Sequence, residues 1–257
     1  MSALTFVGLG ILRKRENKIL DVYFPKIVTH ESCPDSLKQL ESVFINRDDI
    51  TLEQQHVAFS EFSDMILNLD VDVENSYSET RSGLFCLSDI KQPVKSVEEA
   101  YFKLQLLSQR LVKPHDVNLE GMFGILHNIA WSNKGPVLAE DVERERILSY
   151  KSGQPLVISH VDKFPYLVNY HIPEGTRIAS GSQVRLGAYL GKGTTIMPAG
   201  YVNFNAGTLG NAMVEGRVSA GVVVGKDSDI GGGASIMGTL SGGNKDIIQI
   251  GETCLLG

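Results

Sequence analysis

The chain has 257 residues, of which 42% are hydrophobic and 21% charged, enough apolar material to bury one large core or two ordinary ones. Its net charge of −6 excludes the overall basic footprint of a nucleic-acid-binding protein, and no apolar run reaches the length of a membrane span. Cys33, Cys86 and Cys254 lie far apart and make no CxxC pair or even set, and the opening residues have their charges after the apolar run. We therefore expect a reduced, cytoplasmic protein without a secretory signal.

In chain order, "LTFVGLGILRK" and "KILDVYFPKIV" are rich in β-branched and aromatic residues and read as strands. The lone "GLG" at 8–10 carries no chemistry by itself. "DSLKQLESVF" and "LEQQHVAFSEFSDMILNL" are weaker helix candidates. "SVEEAYFKLQLLSQRLVKP" predicts a helix, with Ser96 and Glu99 as a capping box, Leu104, Leu107 and Leu111 on one face, and Pro114 as its stop. "NLEGMFGILHNIAWSNKGP" gives no clear periodicity. "AEDVERERILSYKSG" predicts a second helix, with acids early and Gly153 near its end.

Near residue 171 the pattern changes. Ile172, Ile178, Val184, Leu190, Ile196 and Val202 recur every six residues, then Val218, Val224, Ile230 and Ile236, then Ile250 and Leu256. Neither a 3.6-residue helix nor a simple strand alternation gives this step. It predicts a left-handed parallel β-helix of hexapeptide repeats, with one inward aliphatic residue per repeat and small residues at the corners. The fold class is thus an α+β N-terminal domain, residues 1–170, followed by a left-handed β-helix domain, residues 171–257. In such a coil chemistry is expected where the repeat breaks and in clefts between subunits.

The repeat breaks twice. Thr208 occupies an aliphatic slot and the phase shifts between Val214 and Val218; Gly242 occupies another slot in "MGTLSGGNKDII". Each break is expected to extrude its extra residues as a loop. No histidine follows His171, so a His₃ zinc site within the coils is excluded, and no Ser or Cys there has a histidine close by in sequence. "GGGAS" at 231–235 lacks the Lys-Ser/Thr ending of a phosphate loop. Of the acids in the coils, Glu215 stands apart, set among small residues in "NAMVEGRVSAG" beside Arg217. It is either a surface carboxylate paired with Arg217 or the base or nucleophile of a group transfer.

The stretch from Val184 onward, with "FNAGTLG", "MVEGR" and "GGGASIMGTLSGG", closely resembles the tetrahydrodipicolinate N-succinyltransferase family, in its longer form found in actinobacteria and some proteobacteria. "GMFGILHNIAW" is a looser match upstream. The resemblance implies a homotrimer with sites in clefts between coils. It implies transfer of a succinyl group from the co-substrate succinyl-CoA to the amine of 2-amino-6-oxopimelate, in lysine and diaminopimelate synthesis. By resemblance Glu215 is the catalytic carboxylate and the backbone N–H of Gly238 the oxyanion donor. Arg217, Gly232 and Ser235 contact succinyl-CoA, the arginine fork suiting a carboxylate. Some relatives bind magnesium with acids at positions that are Ser182 and Ala199 here, so magnesium is not expected. The family continues beyond "CLLG" with further CoA-binding coils, so a piece of a longer chain is expected. A hexapeptide acyltransferase with another acyl-CoA or acceptor, or a non-catalytic trimeric scaffold, are the competing readings.

Overall fold

The computed structural model describes residues 4–31, 35–38, 40–51, 54, 77–238 and 247–257. The chain divides into two compact units: Met1–Phe102 with Leu119–Lys163, and Lys103–Asn118 with Phe164–Gly257.

The first unit is built on β1 (Thr5–Arg15) and β2 (Lys18–His30), a long antiparallel pair formed by two segments rich in β-branched and aromatic residues. A single helical turn, α1 (Asp35–Lys38), follows, then β3 (Ile45–Asn46) and β4 (Glu79–Leu87), giving the order β2-β1-β4-β3. The "GLG" glycines have a packing purpose: a Cβ at Gly10 would meet the Phe24 ring at 2.6 Å, and one at Gly8 the Phe102 ring at 2.8 Å. Their absence of side chains seats a cluster in which Phe24 and Phe102 meet edge to face at 4.9 Å and Phe85 lies 5.0 Å from Phe102. A second sheet joins β5 (Ile129–Ser132), β6 (Gly135–Leu138) and β7 (Ile158–Asp162) in the order β6-β5-β7. Pro136, which has no N–H to give a ladder, is on an edge strand. The segment without clear periodicity supplies β5 and the short helix α3 (Met122–Ile125). The weaker helix candidate at 52–69 lies almost wholly outside the described residues.

Helix α2 (Val97–Ser108) starts as expected: Ser96 Oγ accepts from Glu99 N–H at 3.2 Å, while the Glu99 carboxylate takes the N–H of Lys95. It ends six residues before Pro114. Arg110 takes the left-handed conformation (φ 61°); its N–H bonds Leu107 O, and Leu111 N–H bonds Leu106 O at 3.0 Å. That is the Schellman pattern with arginine where glycine is usual, so the helix is closed by its own cap and not by the proline. Helix α4 (Val142–Lys151) closes the same way with the expected Gly153 (φ 74°), whose N–H bonds Tyr150 O while Gln154 N–H bonds Ser149 O.

The second unit is a left-handed parallel β-helix. Among the described residues, thirteen two-residue strands run from β8 (Arg177–Ile178) to β20 (Leu255–Leu256) and stack in three parallel sheets. The first contains β8, β11 (Thr195–Ile196), β14 (Met213–Val214), β17 (Asp229–Ile230) and β20. The second contains β9 (Gln183–Val184), β12 (Tyr201–Val202), β15 (Arg217–Val218) and β18 (Ser235–Ile236). The third contains β10 (Tyr189–Leu190), β13 (Gly207–Thr208), β16 (Val223–Val224) and β19 (Gln249–Ile250). The six-residue rule and the three-sided coil are one fact: Thr195 pairs with Arg177 and with Met213, eighteen residues away on each side.

Slot residues from Val184 to Ile236 pack as one buried column with Ile178, Ile250 and Leu256 against it. Ile172 does not join it; it precedes the first strand and is 73% exposed. Thr208 keeps its slot, fully buried, because its hydroxyl shares a 2.6 Å hydrogen bond with that of Thr194, equally buried. At the corners a residue three positions after the slot turns left-handed: Gly175, Gly181, Gly187, Gly193, Ala199, Asn205, Asn211, Gly221, Asp227, Gly233 and Thr253. Glycine, Asn and Asp suit that conformation; Ala199 pays for it without local compensation from a polar side chain.

Candidate active site

Four-residue corners separate successive strands almost everywhere. Between β14, which ends at Val214, and β15, which begins at Arg217, only Glu215 and Gly216 remain. The phase shift is a deletion of two residues, not an insertion, and nothing is extruded as a loop. The residue that would turn left-handed is missing altogether. Consequently Tyr201 pairs with Arg217 after sixteen residues, not eighteen. The second interruption goes the other way: Val223 pairs with Gln249, twenty-six residues on. Gly242 and the residues at 239–246 that carry this extra length lie outside the described residues.

The short corner is clamped to the coil above it. The N–H groups of Glu215 and Gly216 both donate to Ile230 O, at 2.8 and 3.1 Å. No side chain is possible at 216, since a Cβ would stand 2.4 Å from Ala234 O and 2.7 Å from Gly231 O. Glu215 is half-buried, and its Oε2 lies 3.3 Å from where a Cβ of Gly232 would be. Glycine at 232 therefore leaves the carboxylate room and an exposed approach from solvent. Glu215 makes no ion pair or side-chain hydrogen bond among the described residues, and Arg217 does not pair with it. A surface salt bridge between the two is thus not what this glutamate is for.

Arg217 and Ser235 are register partners in β15 and β18. Both are exposed, since the inward places on those strands belong to Val218 and Ile236. Glu215, Gly232, Arg217 and Ser235 therefore cluster around one corner and the start of one face, on two successive coils. Gly238 is not with them. It follows β18 at the opposite end of that face, packed so closely on the coil beneath that a Cβ would meet Ala220 O at 2.1 Å. Sequence reasoning missed the direction of the first interruption, although the four-residue interval from Val214 to Val218 carried the signal.

At the two positions where the resemblance puts acids in some relatives, this chain carries Ser182 and Ala199. Ser182 donates its hydroxyl to Ala179 O at 2.6 Å and Ala199 has no donor atom. Among the described residues no three His, Cys, Asp or Glu side chains converge. No helix among them is long and apolar enough to cross a membrane.

Comparison with known proteins agrees with this architecture. Residues 126–166, which include β5, β6 and β7, match the family model described as "Tetrahydrodipicolinate N-succinyltransferase middle". A 2,3,4,5-tetrahydropyridine-2,6-dicarboxylate N-succinyltransferase of Vibrio cholerae serotype O1 is 60% identical over 163 residues, 63% of this chain and 48% of the relative. The enzyme of that name from Pseudomonas putida is 56% identical over 164 residues, 64% of this chain and 48% of the relative. The chain spans about half the length of these curated relatives. A crystal structure from Campylobacter jejuni, described provisionally as a 2,3,4,5-tetrahydropyridine-2-carboxylate N-succinyltransferase, superposes with a TM-score of 0.78 at 36% identity. That match covers all of this chain and 73% of the other. The chain belongs to the tetrahydrodipicolinate N-succinyltransferase family.

Proposed function

We propose that the protein transfers a succinyl group from succinyl-CoA to the amine of 2-amino-6-oxopimelate, the open form of tetrahydrodipicolinate, with Glu215 as general base. The observation that carries this reading is Glu215 itself: a carboxylate with no partner among the described residues, fixed on a two-residue corner and opening onto the bare Gly232. The amine nitrogen attacks the thioester carbon as Glu215 takes its proton. The tetrahedral oxyanion is met by the backbone N–H of Gly238. Collapse breaks the C–S bond, and the proton passes to the departing CoA sulfur. Arg217 is suited to the succinyl carboxylate, with Gly232 and Ser235 beside it on the same two coils.

The separation of Glu215 and Gly238 supports a homotrimer with shared sites. They flank opposite ends of a face whose chain, from Glu215 to the corner under Gly238, spans up to about 13 Å. Base and oxyanion donor must both come within hydrogen-bond reach of one reacting centre. Glu215 of one copy facing Gly238 of another meets that condition. In this reading residues 171–257 form the acyltransferase domain and residues 1–170 the N-terminal domain. The protein is cytoplasmic and engages neither nucleic acid nor membrane.

The test is CoA release from succinyl-CoA and from acetyl-CoA, with and without the aminopimelate acceptor. Turnover should require succinyl-CoA and acceptor together, and Glu215→Gln should lower kcat by about 10²–10⁴-fold with the oligomer retained. Equal use of acetyl-CoA would favour a different acyltransferase. Full activity of Glu215→Gln would remove the carboxylate from the mechanism.

A further inference from the structure

The left-handed corners between the second and third sheets form a ridge: Gly187 (φ 92°), Asn205 (φ 52°) and Gly221 (φ 81°) on successive coils. The next coil on that ridge carries Gly238. The segment that ends α2 and follows it binds the ridge at every coil up to that point. Ser108 Oγ accepts the N–H of Gly187 at 2.8 Å, and a Cβ on Gly187 would strike Leu104 at 2.5 Å. His115 then spans the next two coils. Its backbone N–H donates to Asn205 Oδ1 at 2.8 Å, and its ring Nε2 lies 2.8 Å from Gly221 O. A carbonyl only accepts, so Nε2 carries the proton. His115 is itself left-handed (φ 73°), a conformation that costs a non-glycine residue and is retained where the surroundings impose it.

The corner that His115 holds is the floor under Gly238. It runs from Ser219 to Val222, closed by Val222 N–H donating to Ser219 O at 3.1 Å. Gly221 O receives the histidine, and Ala220, one residue earlier, is the group against which Gly238 packs with no space for a side chain. A displacement of the corner is thereby passed directly to the Gly238 backbone.

The geometry points to His115 as a positioning residue for the acyl-transfer site: by tethering the Ser219–Val222 corner it fixes the backbone N–H of Gly238 in the place where the oxyanion forms. This rests on the reading of Gly238 as oxyanion donor. His115 does not touch substrate, and loss of its ring should reduce kcat without weakening succinyl-CoA binding.

Three variants test it in the whole protein: His115→Phe, which keeps bulk and loses the donor, His115→Gln, which restores an N–H, and Glu215→Gln as reference. The expected result for His115→Phe is a kcat lower by about 10–100-fold with KM for succinyl-CoA within about twofold, since a misplacement near 1 Å costs about 10²-fold. His115→Gln should recover a substantial part of that loss. Hydrogen exchange of peptides covering Ala220–Gly238 should be faster in His115→Phe than in the parent, with the Gln variant between them. If Glu215→Gln abolishes turnover while His115→Phe keeps its kcat, the inference is wrong and the enzyme reading stands. If exchange at that corner is unchanged in His115→Phe, the tether is refuted whatever the kinetics. If the parent protein does not turn over succinyl-CoA, both readings fall.

Discussion

Replacing Gly216 by alanine should strike the site through its scaffold. Glycine here is not a matter of backbone freedom, for Gly216 is absent from the residues with positive φ. The obstacle is space: the new methyl would stand 2.4 Å from Ala234 O, 2.7 Å from Gly231 O and 3.0 Å from the Ile230 side chain. Two of these are backbone atoms of the next coil and cannot rotate aside, so the corners must separate. Overpacking of this kind costs about 1–3 kcal/mol. Separation also threatens the paired bonds from Glu215 and Gly216 to Ile230 O, worth about 1 kcal/mol each. A total of about 2–4 kcal/mol corresponds to a fall in Tm of about 5–15 °C for a protein of this size. Thermal unfolding by circular dichroism reads the shift, and CoA release at a temperature where the variant is folded reads the consequence for Glu215. Gly124→Ala, where nothing lies within 4 Å of the added methyl and φ is not positive, serves as a control and should change Tm little. A Gly216→Ala protein with parental Tm and parental turnover would refute the claim that close stacking of this corner fixes the carboxylate.

Two further perturbations probe the interior and the pH response. Thr208→Val makes the slot aliphatic but strands the buried Thr194 hydroxyl, which should cost about 1–3 kcal/mol; Thr194→Val with Thr208→Val together should cost much less, both read by thermal unfolding. Burial, and then the neighbouring Arg110 charge, lower the His171 pKa below its usual 6.5. The unfolded chain therefore binds the proton first as pH falls below about 6.5, so stability declines from there until the folded pKa is passed, and is flat at higher pH. His171→Gln should flatten part of that decline, and an unchanged Tm-against-pH profile would remove His171 as its source.

How legible the fold was depended on how local its causes are. The coil was open to reading because each strand is two residues and each turn repeats a short chemical pattern: an aliphatic slot, then a small or Asn/Asp residue at the left-handed place. No distant contact is needed to see it. The end of α2 was hidden because proline is a visible stop, whereas an arginine in the left-handed conformation closes a helix only through bonds its letter does not announce. Ile172 keeps the period, and Gly175, three positions on, turns left-handed and accepts the N–H of Gly193, but the Ile172 side chain at this first corner stays largely exposed.

The site shows the same division. Glu215 could be singled out from its setting, yet the reason first given for its exposure, an extruded loop, is the reverse of what the chain does. A four-residue step from Val214 to Val218 cannot lengthen a coil whose neighbours step by six; it can only cut a corner. The physical consequence is stronger than that of a loop. A loop would hold the carboxylate with a handful of flexible dihedrals, whereas a two-residue corner fixes it by the strands on either side and by two bonds to one carbonyl. A backbone held that way gives the carboxylate a fixed point of attachment, so only its side-chain torsions remain to be ordered when a substrate arrives. Shortening the repeat is therefore the means by which a scaffold of nearly featureless corners presents one acid from a rigid backbone, and lengthening Glu215–Gly216 by two residues to the common four should keep the β-helix while sharply reducing turnover. Retained kcat in that insertion variant, with its circular dichroism unchanged, would show that the rigidity of the corner is not what the reaction uses.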